Sequence, residues 1–107
     1  MAVVYSTRFY IGVLPATEAL VYTAPAGHTV VLKDITIFNN SADPALTLVS
    51  VHGPGAAANV YTNTSLPAAG VAEWQGHQVL NAGDTLTAVG TSGGVQCLIS
   101  GYLLEDA

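Results

Sequence analysis

Apolar and polar residues alternate along this chain in short runs, and Gly, Pro, Asn and Asp fall between the runs. Val, Ile, Thr and Tyr fill the runs, which is the composition of a pleated, half-buried surface. Arg8 to Leu14 reads as a first strand, preceded by an N-terminal arm over residues 1–7. Glu18 to Thr23 follows and ends at Ala24-Pro25-Ala26-Gly27, where proline presets φ and glycine accepts a positive φ. His28 to Phe38 is the longest run. Val30 and Leu32 share one parity and Ile35 and Ile37 the other, so strict alternation cannot bury all four. One extra residue near Lys33-Asp34 resets the alternation, which predicts a β-bulge there.

Asn39 to Pro44 is a dense turn cluster, and Ala45 to His52 alternates cleanly after it, with Thr47, Val49 and Val51 on one face. His52 to Ala58 is a loop of small residues, and Asn59 to Leu66 is a modest strand. Pro67 to Gly70 turns the chain into Glu73 to Leu86, which reads as strand, tight turn over Asn81-Ala82-Gly83-Asp84, strand. A Gly-rich turn, Gly90 to Gly94, leads to a last strand, Val95 to Leu104, and residues 105–107 form an acidic tail. The one helical rival, Pro67 to Leu80, has no good cap and holds Gly70 and Gly76. Ala26-Gly27-His28-Thr29-Val30 is echoed by Ala82-Gly83-Asp84-Thr85-Leu86, each a glycine turn entering a strand. The expectation is one all-β domain over residues 8–104, a jelly-roll-like antiparallel sandwich of about eight strands.

Charge changes that picture. Half of the 107 residues are apolar and only 8% are charged, against about 25% in ordinary domains. Seven carboxylates and two cations, Arg8 and Lys33, serve the whole surface. A surface so poor in charge points to coverage by other subunits. Two isolated cations in a chain of net charge −5 argue against nucleic acid, which needs clustered Lys and Arg. No run approaches the roughly 20 apolar residues of a membrane-spanning helix. The N-terminus lacks the basic start and apolar core of a signal peptide. The single Cys97 excludes an internal disulfide, and its apolar surroundings mark an inert thiol.

Candidate chemistry is sparse. His28, His52 and His77 stand apart, and only Glu73 lies four residues from a histidine, His77. That spacing shares a face on a helix but not necessarily on a strand. Glu73 with Asp84, or Glu18 with Asp34, are conceivable acid pairs that nothing in the spacing selects. No serine or threonine is set beside an oriented base, and Gly90 to Gly94 lacks the lysine and helix of a phosphate loop. No catalytic residue, metal ligand or cofactor site is expected. Trp74 with Tyr61 offers a platform for stacking on a sugar ring, or an anchor in a core or subunit interface. Val13, Leu14, Tyr22, Val49, Val51 and Trp74 are the expected apolar contacts beyond the monomer core.

The stretch Leu20 to Asn39, LVYTAPAGHTVVLKDITIFN, and the later EWQGHQVLNAGDTL followed by Ser100-Gly101-Tyr102 carry a resemblance. Together they span Leu20 to Leu104 and resemble small jelly-roll-like virion structural proteins of tailed bacteriophages, of the minor tail or capsid decoration type. The resemblance implies a non-enzymatic subunit that forms a homotrimer and docks on other virion proteins. It also implies assembly in the host cytoplasm and residence in the virion. The arm over residues 1–7 would then add a strand to a neighbour. The alternative is a carbohydrate-binding module for host adsorption, with Trp74 and Tyr61 on a cell-surface glycan. A small hydrolase is a third reading, without a positioned triad to support it.

Overall fold

The computed structural model describes residues 3–53, 59–91 and 94–105. Eight strands run in order: β1 (Val3–Val13), β2 (Ala19–Thr23), β3 (His28–Asn39), β4 (Ala45–His52), β5 (Asn59–Leu66), β6 (Val71–Leu80), β7 (Thr85–Gly90) and β8 (Val95–Glu105). They form two antiparallel sheets. Sheet A has the order β1-β8-β3-β6 and sheet B the order β2-β7-β4-β5. The pairings nest: β1 with β8, β2 with β7, β3 with β6, β4 with β5. A long hairpin rolled over itself gives this nesting, and the contacts β3–β8 and β4–β7 close each sheet. This is the jelly roll of two Greek keys expected from the strand count and spacing.

The core lies between the sheets. Val30, Leu32, Ile35 and Ile37 of β3 are all fully buried, and the register of β3 slips between Leu32 and Asp34 against both of its neighbours. The bulge that the parity of this run demands is therefore present, at Lys33. A second slip lies on β1 between Arg8 and Tyr10. The two bulges flank Ser100 of the central strand β8, the β1 bulge on its Ile99 side and the β3 bulge on its Gly101 side. Gly101 is required there, because a Cβ would sit 2.0 Å from the Val31 carbonyl oxygen.

Asn39 closes the far end of the core. It is fully buried, and its side-chain amide donates to the carbonyls of Asp43 (2.9 Å), Leu66 (3.1 Å) and Pro67 (3.2 Å). Its Oδ1 accepts from the Ser41 backbone N–H at 3.1 Å and from the Ser41 hydroxyl at 2.7 Å. One side chain thus satisfies the turn after β3 and the turn before β6.

Several expectations change in detail. Residues 3–7, read as an arm for a neighbour, pair with β8 of the same chain. The Glu73–Leu86 stretch is not a hairpin, because β6 belongs to sheet A and β7 to sheet B. Its turn is a corner between sheets, and so is the echoing turn before His28. The two corners lie side by side: Ala24 donates its N–H to Asp84 O (2.9 Å) and Gly83 donates to Ala24 O (3.0 Å). Gly27 and Gly83 both hold positive φ, 74° and 90°. The last Gly-rich turn likewise links sheet B to sheet A, with Ser92 and Gly93 outside the described residues. Pairing in a sandwich is non-local, so turn chemistry marks where the chain bends but not which sheet it enters.

Candidate functional site

The outer face of sheet A is where exposed apolar groups gather. The register places its outward side chains on rungs that cross all four strands. The first rung is Val13, Gln96, Phe38 and Val71; the second is Ile11, Leu98, Thr36 and Glu73; the third is Arg8, Ser100, Asp34 and Gln75. Ile11 is 65% exposed, Val71 55%, Val13 51% and Leu98 38%. Ile11, Val13, Phe38 and Leu98 border a shallow depression of about 410 Å³. Four branched side chains held in water on one sheet face form a contiguous apolar patch of the kind that marks an interaction surface.

The third rung begins a polar groove. The bulges on β1 and β3 splay Arg8, Lys33 and Asp34 apart, and Ser6, Thr7, Ser100 and Tyr102 complete a cleft of about 380 Å³. Both cations of the chain line this cleft. Beyond it Tyr102, Val31 and Val79 make a further rung with Ser6.

The outer face of sheet B carries a different cluster. Thr87 donates its hydroxyl to Glu18 Oε2 at 2.7 Å, and His52 Nε2 lies 3.1 Å from the same hydroxyl oxygen and 3.8 Å from the carboxylate. The carboxylate can only accept, so the threonine proton points to it and His52 is the donor to Thr87. A hydroxyl being activated as a nucleophile needs the opposite direction, with its proton on the histidine. The arrangement is a clasp joining β4, β7 and the start of β2. His28 binds its own turn through Nδ1 and Ala26 O at 2.9 Å, and His77 is exposed on β6. Among the described residues no three His, Cys, Asp or Glu side chains converge as metal ligands. Cys97 is buried in the core, and burial pushes its thiol up to about 12.

The residues expected from sequence to make contacts beyond the core divide. Val13 lies on the exposed face. Leu14, Val49 and Val51 do not, with exposures of 1%, 0% and 6%. The correction has a simple cause: Val49 and Val51 share the inward parity of β4 with Ala45 and Thr47, so their surface is spent inside the sandwich. Tyr22 is half-buried against Phe9, ring centroids 5.0 Å apart. Trp74 points inward from β6, packs against the core and lies over Gly76. The side chain of Tyr61 lies outside those described. Ile11, Phe38, Leu98 and Val71 were not singled out. The signal available for Ile11 and Val13 is that they share a parity opposite to Tyr10 and Gly12, but the bulge at Phe9 hides which parity is inward.

A scan against protein-family models finds no match, and a search of curated proteins finds none either. Among solved structures the chain is similar to two crystal structures of a pentameric capsid protein isolated from metagenomic phage sequences. Each is 16% identical with a TM-score of 0.45 over 96% of this chain. The chain spans 61% and 60% of the length of those two proteins.

Proposed function

We propose that the protein is a non-enzymatic structural component of a tailed-phage virion, a minor tail protein or capsid decoration, that self-associates as a trimer and docks on the particle. The observation that carries this reading is the apolar outer face of sheet A, where Ile11, Val13, Leu98 and Val71 stand in water on adjacent rungs. A chain with 8% charged residues has little to shield such a face except other protein. The resemblance of Leu20–Leu104 to virion proteins gives the setting. The carbohydrate-binding alternative draws no support from Trp74, whose ring packs inward, since a sugar platform needs an open ring face.

Size-exclusion chromatography with light scattering tests self-association. A trimer at micromolar concentration is the expected result, and a stable monomer overturns the claim. Mass spectrometry of purified particles tests the setting: the protein should co-purify stoichiometrically, and its absence from the particle overturns the virion role.

A further inference from the structure

We propose that copies join edge to edge, the β1 edge of one subunit against the β6 edge of the next, in a head-to-tail ring. The inference rests on the self-association reading above and names its seam. β1 and β6 are the two edges of sheet A. Each step across the sheet, β1 to β8 to β3 to β6, is antiparallel, so β1 and β6 run in opposite directions. Laying β1 beside the β6 of a second copy therefore extends the sheet as an antiparallel pair, with the outer faces of both copies on the same side. Each subunit has one edge of each kind, so the contact is heterologous and repeats until it closes.

The proposed ring has its axis along the strands, so rotation alone relates the copies and each rung meets its neighbour at its own level. Val13 then lies opposite Val71 of the partner subunit, and Ile11 lies opposite Glu73 of the partner subunit. Arg8 falls one rung from that Glu73. Diagonal positions across an antiparallel pair are about 7–8 Å apart, and closer at Cβ, within reach of a long side chain. Among the described residues neither Arg8 nor Glu73 has an ion-pair partner in its own chain, and both are exposed on the outer face.

The same features limit and direct the contact. Register irregularities at Phe9 on β1 and at Gly76-His77 on β6 end the regular segments. Pairing is confined to Tyr10–Val13 and 71–75, the apolar end of the face. Bulges and charges on edge strands normally blunt uncontrolled pairing. Here the charges also sort it, since the β1 edge carries only a cation, Arg8, and the β6 edge only a carboxylate, Glu73. Only the mixed edge brings opposite signs together.

Arg8→Glu, Glu73→Arg and the double exchange test the seam by light scattering across a dilution series, with the circular dichroism spectrum confirming that each exposed substitution leaves the fold intact. Each single variant should raise the dissociation midpoint about tenfold or more by placing like charges together, and the double exchange should restore it. Wild type that assembles while both single variants assemble equally well overturns the seam and leaves self-association standing. Single variants that weaken without recovery in the double exchange overturn it as well. A monomeric wild type removes self-association itself. As an independent readout, the Val13→Cys/Val71→Cys double variant should form oligomers linked by disulfides on oxidation, with buried Cys97 inert; oxidised monomer alone from an assembled protein overturns the pairing.

Discussion

Gly101→Ala should be among the most damaging single-methyl additions to this fold. Gly101 sits on β8 where the β3 bulge presses closest. An added Cβ would lie 2.0 Å from Val31 O and 3.0 Å from the Lys33 nitrogen. Restoring an ordinary non-bonded separation requires the two strands to part locally by roughly 1 to 1.5 Å. A ladder hydrogen bond stretched that far is lost. Two lost bonds at about 1 kcal/mol each, with overpacking of about 1–3 kcal/mol, give a destabilisation of about 3–5 kcal/mol. That is a large share of the roughly 5–15 kcal/mol of a typical domain.

The comparison variant is Gly83→Val. Gly83 also has an enforced backbone, φ +90°, but nothing lies within 4 Å of a Cβ there. Its cost is conformational alone, about 1–2 kcal/mol. Urea unfolding at one fixed protein concentration separates the two, since association would otherwise shift the midpoint. Gly101→Ala should lose about twice as much stability as Gly83→Val or more. A Gly101→Ala protein within about 1 kcal/mol of wild type would refute the close approach of β8 to the β3 bulge at the groove.

Asn39→Asp should cost on the order of 3 kcal/mol at neutral pH, because three carbonyls lose their donor and face a buried carboxylate. The unfolded aspartate ionises near pH ~4 while the buried one resists, so the deficit should grow as pH rises above that value; a deficit independent of pH between 3 and 7 would contradict the amide's role as donor. Cys97 should not react with a disulfide reagent at neutral pH until the protein unfolds. Its burial raises the folded thiol to about 12, and Tyr10 and Tyr22 are raised by burial too. The unfolded chain releases these protons first, from about pH 8.5 upward, so stability should fall with rising pH until the folded groups also titrate. A stability flat from pH 8.5 to 11 would show that these groups are not desolvated.

Much of this fold is legible in residue order, and the reasons are local. The bulge at Lys33 follows from four apolar residues of conflicting parity that must share one core. The corners at Gly27 and Gly83 follow from glycine's tolerance of positive φ. What stays hidden is relational. The same Asn-Ala-Gly-Asp that fits a hairpin here turns the chain from one sheet to the other, because partners are chosen by the nested pairing of distant strands. The outer face of sheet A is hidden for a second reason. Apolar side chains on both faces of β1 and β8 erase the alternation that would tell inside from outside, and Leu46 and Leu48 do the same on β4, so Val49 and Val51 look as available as Val13. The erasure is itself informative, since a face destined for solvent would have kept its polar parity.

The bulges connect these observations. Without the irregularities at Phe9, Lys33 and Gly76-His77, sheet A would present one uninterrupted outer face and two long regular edges, a template for open-ended pairing. These irregularities break it on either side of Ser100 of β8. On one side they leave an apolar end with short regular edges; at the break they set both cations of an acidic chain in one cleft. Edge pairing confined to the Tyr10–Val13 segment has a defined length, and Arg8 beside it gives the proposed seam a charge to read its partner by. Removing the β1 bulge by deleting Phe9 would lengthen the regular edge, but it would also extract a core side chain that packs on Tyr22. Stability and edge control are therefore tied to the same residue, and the fold cannot relax one without weakening the other.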